Sequence, residues 1–313
     1  MNPIPNIIDT HSHVQFNAFK EDADMVIQKT LAEHIWMINV GTKYETSHNA
    51  VLMAQKYEQG VFAAIGLHPI YAAAEFVKTK TDPDEGEFLI KEQEFDYDAY
   101  KKLALEGGKK VVAIGEVGLD YYYKPKTTAK LTQFKEKQKQ VFMQQLDLAK
   151  ELNLPLILHC RMAHQDLLEI LKSQITNPTD GRGGEAGLAR VSKSQINPNS
   201  QNPKLRGVIH CFTGSVEEMK QYVSLGFCIG INGIIFKLPL DEVVKNCPLE
   251  SMVVETDCPY LTPLPEAPKR NEPIFIKHTI QKIADLKGVS FDQVAQKTTQ
   301  NAKVLFGLDK LSL

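Results

Sequence analysis

The chain alternates short apolar runs with longer segments in which apolar residues recur at helical spacing. The apolar runs predict eight β-strands, at residues 7–8, 36–40, 61–66, 111–115, 155–158, 207–209, 227–231 and 252–254. Helical spacing is clearest over residues 131–152, 163–171 and 216–225. Apolar runs without polar alternation are typical of strands buried on both faces, and strand–helix alternation implies parallel pairing through right-handed crossovers. Eight such units in 313 residues predict an α/β fold, a single-domain TIM (β/α)₈ barrel.

Two segments interrupt this alternation. Residues 78–97 are polar and acidic and follow the third predicted strand. Residues 174–205 are rich in Gly, Asn, Ser and Pro and lack apolar periodicity, so they predict a flexible insertion after the helix that follows the fifth strand. Because that helix returns to the face opposite the strands' carboxyl ends, we expect the insertion to begin away from any active site.

Composition and charge narrow the class of protein. The 36 basic and 38 acidic residues give a net charge of −2, so a dedicated nucleic-acid binder is excluded and any nucleic acid must be bound locally. The five cysteines include no Cys-x-x-Cys pair, which favours a reducing compartment, the cytoplasm or, in a eukaryote, the nucleus. No apolar run approaches the roughly 20 residues that span a bilayer.

The candidate chemistry lies where the predicted strands end. In a parallel barrel the carboxyl ends of the strands meet at one rim, and catalytic groups come from several strands there. Six strands run into a histidine or a carboxylate, and the residues concerned are His11, His13, His68, Glu116, His159, His210 and Asp257. A single histidine at a strand end is ordinary, but this convergence predicts an active site.

Histidines and carboxylates in this arrangement indicate bound metal. Residues two apart on a strand point to the same face, so His11 and His13 can reach one ion together. Imidazole suits Zn and Mn, and carboxylate oxygen suits Mg and Mn. Four histidines with Glu116 and Asp257 are too many for one tetrahedral site but suit two divalent ions about 3.5–4 Å apart, with Glu116 as the bridge. Without metal, we expect the two carboxylates to repel or one to take up a proton.

Other polar residues follow these strand ends. Arg161 is the best-placed fixed cation for a phosphate oxygen, since its guanidinium can bind phosphate through two donors. Tyr121 to Tyr123 can either stack on a nucleobase or pack within their loop. Ser215 and Glu218 predict a capping box, whose helix N-terminus could also bind phosphate. Three cysteines directly follow proposed ligands and are predicted to point away as small buried residues, namely Cys160, Cys211 and Cys258.

Longer motifs resemble those of TatD-family metal-dependent deoxyribonucleases. The matching stretches, in chain order, are residues 9–13 (DTHSH), 66–69 (GLHP), 113–121 (AIGEVGLDY), 158–161 (LHCR), 207–215 (GVIHCFTGS), 255–263 (ETDCPYLTP) and 270–273 (RNEP). The resemblance runs from Asp9 to about Leu308 and is interrupted mainly by the two insertions. Together the motifs are specific, whereas His-x-His alone would indicate only the wider group of metallo-hydrolases.

The resemblance implies a TIM-barrel hydrolase that cleaves DNA phosphodiester bonds with divalent metal (Mg, Mn or Zn), as a 3′-to-5′ exonuclease on single-stranded or frayed ends. The ligand sets that it implies are His11, His13 and Asp257 for one ion, and His159 and His210 for the other, with Glu116 bridging both. It further implies that His68 and Arg161 face the substrate phosphate. Asp257, an acidic residue at a strand end, could also accept the proton of the attacking water.

Two other classes of function remain open at this point. Related barrels that act as amidohydrolases or deacylases often bridge their metals with a carbamylated lysine at the fourth strand, where this chain has Glu116, and this favours phosphodiester hydrolysis. A catalytically silent binding protein would have lost ligands, and none of the proposed ligands is lost. Met162 departs from the resemblance, because many relatives carry an acidic residue there, and this puts substrate positioning in question rather than hydrolysis.

Overall fold

Eight parallel strands form one sheet in a computed structural model that describes residues 6–77, 93–176 and 205–311. The strands are β1 (Ile7–Ser12), β2 (Ile35–Val40), β3 (Val61–Ile65), β4 (Val111–Asp120), β5 (Leu156–Arg161), β6 (Gly207–Ile209), β7 (Cys228–Ile231) and β8 (Met252–Val254). They pair in chain order from β1 to β8. All eight predicted strands are present, and the predicted TIM-barrel fold is confirmed.

Helices follow most of the strands, as parallel crossovers require. Within the described residues they are α1 (Ala23–Ala32), α2 (Tyr44–Gln55), α3 (Pro69–Ala72), α4 (Tyr97–Gly107), α5 (Thr128–Leu152), α6 (His164–Thr176), α7 (Val216–Ser224), α8 (Asp241–Asn246), α9 (Ile276–Lys287) and α10 (Phe291–Phe306). None of these described helices combines the length and the apolar character needed to cross a bilayer.

The two ends of the sheet meet through β1 and the segment after β8. Ser12 forms a parallel bridge with Cys258. The buried carboxylate of Asp9 accepts hydrogen bonds from the Thr256 backbone N–H at 2.9 Å and from the Thr256 hydroxyl at 2.5 Å. Burial raises the pKa of Asp9 to about 8, although these hydrogen bonds from Thr256 act against the rise. The Asp9–Thr256 contacts hold the first and last units of the barrel together at the level of the rim.

Successive strand residues pack into two separate apolar clusters. Ile7, Ile35 and Met37 belong to the layer between the strands and the helices, whereas Ile8, Trp36, Ile38 and Phe62 belong to a second cluster. The second cluster also contains the end of α10 and the following turn, with Leu305, Phe306 and Leu308. Since side chains alternate along a strand, the second cluster is the barrel interior, and the end of α10 closes it.

Three strands continue past their predicted ends, and two of them contain an extra residue. Between Asp9 and Ser12, β1 has one residue more than β2, and between Ile114 and Val117, β4 has one more than β5. Such bulges bend a strand and change the direction of its side chains. These two bulges fall at His11 and Glu116 and so coincide with residues that carry the candidate chemistry, whereas a third register shift, where Ala63 and Ala64 pair with Val111 and Ala113, does not.

The two interrupting segments lie largely outside the described residues. The predicted insertion at 174–205 overlaps them at 174–176, which continue α6, and at residue 205. Of residues 78–97, only 93–97 are described, and α4 begins at Tyr97. The prediction of a flexible insertion stays a prediction.

Candidate functional site

A cluster of histidines and carboxylates lies at the carboxyl-terminal rim of the barrel. His11 and His13 come from the end of β1, and their Nε2 atoms lie 3.1 Å apart. Ser12 points away from them and donates its hydroxyl to the Ile38 carbonyl. Asp257 faces the pair, with Oδ1 at 3.3 Å from His13 Nε2 and 3.8 Å from His11 Nε2. The three side chains proposed to share one ion are therefore brought together.

Glu116 lies in the middle of the cluster and offers its two oxygens to different histidines. Its Oε2 is 3.5 Å from His11 Nε2, on the side of the β1 pair. Its Oε1 is 2.7 Å from His159 Nδ1, 3.9 Å from His210 Nε2 and 3.5 Å from His68 Nε2. This is the arrangement that a bridging carboxylate requires, with one oxygen toward each half of the site.

His159 is held between two carboxylates. Its Nδ1 faces Glu116, and its Nε2 lies 3.0 Å from Oδ2 of Asp120. Burial acts against a charged imidazole, but hydrogen bonds to Asp120 and Glu116 outweigh it and raise the pKa of His159 to about 9. Without metal, His159 is therefore protonated at neutral pH and faces a carboxylate at each nitrogen. If a metal ion displaced the Nδ1 proton, Nε2–H would stay donated to Asp120 and the Nδ1 lone pair would be directed to the centre of the site, which is the function of a carboxylate behind a metal-binding histidine.

His13 and His210 are oriented in a similar way from their outer nitrogens. His13 Nδ1 donates to the Val40 carbonyl at 2.7 Å, which leaves Nε2 facing Asp257. His210 Nδ1 lies 2.8 Å from Oε1 of Glu255, a wholly buried carboxylate, while its Nε2 faces Glu116 and Asp257. Burial opposes the charge on His210, but Glu255 and Asp257 raise the pKa of His210 to about 10.

His68 has the opposite arrangement. It stands just before α3, and its Nδ1 accepts a hydrogen bond from the Ile70 backbone N–H at 3.1 Å. An imidazole that accepts at Nδ1 carries its hydrogen on Nε2, so His68 presents a donor and not a lone pair to Glu116. Burial, together with the neighbouring His159, lowers the pKa of His68 to about 3. His68 is therefore a neutral hydrogen-bond donor at neutral pH.

The expectation that Glu116 or Asp257 is protonated is wrong, whereas repulsion between the two carboxylates stays a prediction. Burial works to raise the pKa of each carboxylate, but the surrounding imidazoles outweigh it. His68, His11 and His159 hold the pKa of Glu116 well below its usual range, and His210 and His13 lower that of Asp257. The prediction from the sequence considered only the interaction between the two carboxylates, whereas the structure places histidines around both.

Arg161 is held in place by Asp120. Its Nε and Nη2 lie 2.9 Å and 2.7 Å from Oδ2 of Asp120, so one edge of the guanidinium is used and a phosphate could meet only the other. The guanidinium also lies over the Tyr122 ring, 4.5 Å from its centroid. Tyr121 is buried and donates to Asp166, whereas the next two tyrosines are exposed. Of the three tyrosines, Tyr121 therefore packs within its loop, whereas Tyr122 and Tyr123 stay accessible for stacking.

Asp120 and Glu255 are site residues that sequence reasoning missed. Glu255 stands two residues before Asp257, directly after β8, and a second carboxylate so close to a proposed ligand was a usable signal. Asp120 lies four residues after Glu116 on β4, but the predicted strand ended at Gly115, and the contact with His159 depends on the register of β4 against β5.

The three cysteines do not behave alike. Cys160 and Cys258 are buried, as predicted. Cys211 is only partly buried, and its thiol lies within 4.8 Å of ligand atoms of both His210 and Asp257, so the prediction that it points away is wrong. The reason is that β6 ends at Ile209 and Cys211 has a φ of 44°, so strand alternation does not apply there.

The predicted capping box is confirmed at the start of α7. Ser215 accepts from the Glu218 backbone N–H, and the Glu218 carboxylate accepts from the Ser215 backbone N–H at 2.7 Å. This reciprocal pair occupies donors that a phosphate would otherwise use.

The residues present fit divalent metal ions. Among the described residues, four overlapping groups have ligand atoms within 4.8 Å of one another, and they are His11–His13–Asp257, His11–Glu116–His210, His68–Glu116–His159 and His210–Cys211–Asp257. Buried nitrogens and carboxylate oxygens facing one another in this way are typical of a metal site. His11 adds a further sign, because its Nδ1 is buried without a hydrogen-bond partner while its Nε2 faces the centre.

An eight-stranded parallel barrel with histidines and carboxylates converging at its rim defines the class of metal-dependent hydrolases. The sequence matches the family model described as TatD related DNase over residues 8–307. The chain therefore belongs to this family, as its motifs predicted, and its assignment as a hydrolase that acts on phosphodiester bonds is confirmed with it.

Individual relatives cover nearly the whole chain. YabD of Bacillus subtilis, described as an uncharacterized metal-dependent hydrolase, is 35% identical over 97% of this chain and 100% of its own length. The 3′-5′ ssDNA/RNA exonuclease TatD of Pectobacterium atrosepticum is 30% identical over 96% and 100%. The crystal structure of the TatD homologue YJJV from Escherichia coli superposes with a TM-score of 0.72 at 27% identity, covering 96% of this chain and 98% of that one.

Proposed function

We propose that this protein is a two-metal 3′-to-5′ exonuclease that trims single-stranded or frayed nucleic acid ends, with DNA as its substrate. The observation that carries the proposal is the way the rim histidines are oriented. His13, His159 and His210 each have one nitrogen at a carbonyl or carboxylate and the other facing the centre, whereas His68 presents a hydrogen. The rim therefore offers metal ligands and, beside them, a donor for a phosphate oxygen.

The ligand sets follow from these directions. His11, His13 and Asp257 would hold one ion, His159 and His210 the other, and Glu116 would join the two. No group of three within 4.8 Å among the described residues contains both His159 and His210, but Glu116 Oε1 lies between them, 2.7 Å from one and 3.9 Å from the other. Two divalent ions, Mg, Mn or Zn, would polarise the phosphodiester and lower the pKa of the attacking water.

The chain's own side chains would orient the substrate and move the proton. The neutral His68 would donate Nε2–H to a phosphate oxygen, and Arg161 would meet the phosphate with the guanidinium edge that Asp120 leaves available. Asp257 stays ionised because neighbouring histidines lower its pKa, and its side chain is 15% exposed, so it can accept the proton of an attacking water.

Charge favours action at strand ends. A net charge of −2 provides no overall electrostatic attraction for the many phosphates along a duplex. Binding through a local site at the rim suits the last few nucleotides of a strand. The relative from Pectobacterium atrosepticum, named as a 3′-5′ ssDNA/RNA exonuclease, supports this polarity.

The test is a metal-titrated digestion of 3′-labelled and 5′-labelled single and double strands, beside covalently closed circular single-stranded DNA. We expect metal-dependent loss of the 3′ label from single strands and an intact circle. Comparable cleavage of the circle would overturn exonucleolytic action while leaving the metal assignment. Hydrolysis of acyl amides or aminoacyl esters without hydrolysis of bis-p-nitrophenyl phosphate would instead favour the amidohydrolase class. The cytoplasmic location stays a prediction, which cell fractionation tests.

A further inference from the structure

An exposed aromatic and basic surface follows the loop that joins β4 to α5 and continues into the first turn of α5. It consists of Tyr122, Tyr123, Lys124, Lys126 and Lys130, and we call it the tyrosine–lysine strip. All five residues are exposed. Over residues 121–135 the chain has four lysines and no carboxylate, in a protein whose overall charge is −2. Basic charge is therefore concentrated where the catalytic cluster opens to solvent.

The strip is connected to the catalytic cluster by direct contacts. Glu116 contacts His159, His159 contacts Asp120, and Asp120 binds Arg161 through its Oδ2. Oδ1 of Asp120 accepts from the Tyr122 backbone N–H at 2.9 Å. The carboxylate that orients His159 thus also fixes the start of the strip.

The tyrosine rings are arranged around the Arg161 guanidinium. It lies 4.5 Å from the Tyr122 centroid and 5.4 Å from the Tyr123 centroid, and the two rings stand at 86° to each other. Yet Tyr122 and Tyr123 remain 53% and 48% exposed. Large aromatic side chains left exposed beside an active site are available for stacking, and nucleobases stack on tyrosine without regard to sequence.

The loop that carries the rings is anchored on its buried side. The Gln138 side chain accepts from the Asp120 N–H at 2.8 Å and donates to the Asp120 carbonyl at 2.9 Å. Tyr121 donates to Asp166 at 2.8 Å, and Lys135 lies over the Tyr121 ring. A loop fixed in this way presents its exposed rings without a large loss of conformational entropy on binding.

We propose that the tyrosine–lysine strip binds the strand that remains attached to the reacting end: the bases stack on Tyr122 and Tyr123, and the phosphates pass over Lys124, Lys126 and Lys130. The inference rests on the proposed function, because it supplies a path for a single-stranded polynucleotide whose terminal phosphodiester lies at the metal site. It makes the strip responsible for affinity toward strands and leaves the bond-breaking step to the rim residues.

The test compares an oligonucleotide with bis-p-nitrophenyl phosphate, which is too small to reach the strip. We expect Tyr122→Leu/Tyr123→Leu to raise KM for a single-stranded 5′-labelled oligonucleotide roughly fivefold or more, as loss of base stacking does elsewhere. Its kcat and its hydrolysis of the small diester should stay near wild type. Tyr122→Phe/Tyr123→Phe keeps the rings and should behave as wild type.

Salt dependence tests the lysines. Each phosphate contact on a single strand contributes about 0.7 to the slope of log affinity against log salt, so Lys124→Gln/Lys126→Gln/Lys130→Gln should reduce that slope by about 2. The matched control is Lys102→Gln/Lys245→Gln/Lys297→Gln, which removes the same charge from exposed positions on other helices. This control should leave the slope near wild type.

The outcomes separate this inference from the proposed function. A wild-type protein that hydrolyses neither substrate contradicts the proposed function. If wild type digests oligonucleotides and the Tyr122→Leu/Tyr123→Leu variant has an unchanged KM, the proposed binding role of the strip is wrong. The same holds if this variant loses activity equally toward the oligonucleotide and the small diester. If the leucine variant does not fold, the KM of wild type for substrates of different length provides the same test. This KM should fall as the substrate grows from a dinucleotide to a tetranucleotide. A constant KM would contradict binding to the strip.

Discussion

At the scale of single residues, the function of a rim histidine depends on which nitrogen is already engaged. His159 uses Nε2 on Asp120 and presents Nδ1, whereas His68 uses Nδ1 on the Ile70 N–H and presents Nε2–H. Because one neutral ring nitrogen is a donor and the other an acceptor, these hydrogen bonds separate ligands from donors among side chains of the same type.

A pair of substitutions at His68 tests this distinction. The amide oxygen of asparagine can replace Nδ1 as the acceptor of the Ile70 N–H, but asparagine has no donor at the position of Nε2. The longer glutamine can place an amide N–H at the position of Nε2, but it does not keep the acceptor for Ile70. We expect His68→Asn to lower kcat by roughly 10²–10³, as removal of one transition-state donor does, with little change in Tm. His68→Gln should retain more activity but lose up to about 1 kcal/mol of stability through the lost cap. Equal activities would show that the donor is not the function of His68.

Substitution of Glu116 separates its charge from its shape. Because histidines surround Glu116 and lower its pKa, Glu116→Gln removes a negative charge that these histidines share. We expect it to abolish hydrolysis and to lower the metal-free Tm, by roughly 2–5 °C for a chain of this size. Calorimetry in EDTA measures the shift. An unchanged or higher Tm would mean that carboxylate repulsion dominates the cluster after all.

At the scale of elements, α5 holds the rim through two buried glutamines. Gln145 accepts from the Leu67 N–H at 2.7 Å and donates to the Leu67 carbonyl at 2.9 Å, just before His68. Gln138, two turns earlier, makes the same pair of bonds to Asp120. Each amide satisfies one backbone donor and one backbone acceptor at or just beyond the carboxyl end of a strand, so one helix positions two parts of the site.

Replacing either Gln138 or Gln145 by leucine should therefore reduce the free energy of unfolding more than the same replacement at an exposed position. Two buried backbone groups would lose their partners, which costs roughly 2–4 kcal/mol and lowers Tm by about 3–6 °C. Gln145→Leu should also reduce kcat, because His68 moves with Leu67, whereas Gln140→Leu, at an exposed position on the same helix, is the control. Thermal unfolding and steady-state kinetics of the three leucine variants, measured beside wild type, give the result. Equal Tm values for all three variants would contradict the proposed role of Gln138 and Gln145 in holding the rim.

At the scale of the whole molecule, the histidine–carboxylate cluster makes stability without metal depend on pH. The pKa values of His159 and His210 are raised to about 9 and about 10, so their contribution is fully present below about 6.5 and is lost as pH rises through those values. Glu116 and Asp257 have lowered pKa values, so their contribution is lost only as the solution becomes strongly acidic.

We therefore expect the metal-free Tm to fall by several degrees as the pH rises from about 6.5 toward 10. Bound metal keeps these ligands deprotonated, so with saturating Mn²⁺ the fall should be smaller, and metal affinity should increase with pH. Circular dichroism melts with EDTA or Mn²⁺ make the comparison. A metal-free Tm that rises between pH 7 and pH 10 would contradict the assigned ion pairs.

The sequence by itself determined the eight strands, their order and the presence of His11, His13, His68, Glu116, His159, His210 and Asp257 at one rim. Parallel strands joined by right-handed crossovers have few arrangements, and the carboxyl ends of strands in a barrel share one face. Alternation also placed His11 beside His13 and turned Ser12 away. These results depend only on local pattern, so they could be obtained without coordinates.

Tertiary structure alone decided how the residues meet. The bulges at His11 and Glu116 depend on the register of neighbouring strands, and the contacts of Asp120 with His159 and Arg161 join two strands far apart in sequence. The backbone of Cys211 abandons strand geometry, which no apolar pattern records. Side-chain direction, protonation and the path from the cluster to Tyr122 follow from packing among distant segments, so the sequence could name the site residues but not distinguish their roles.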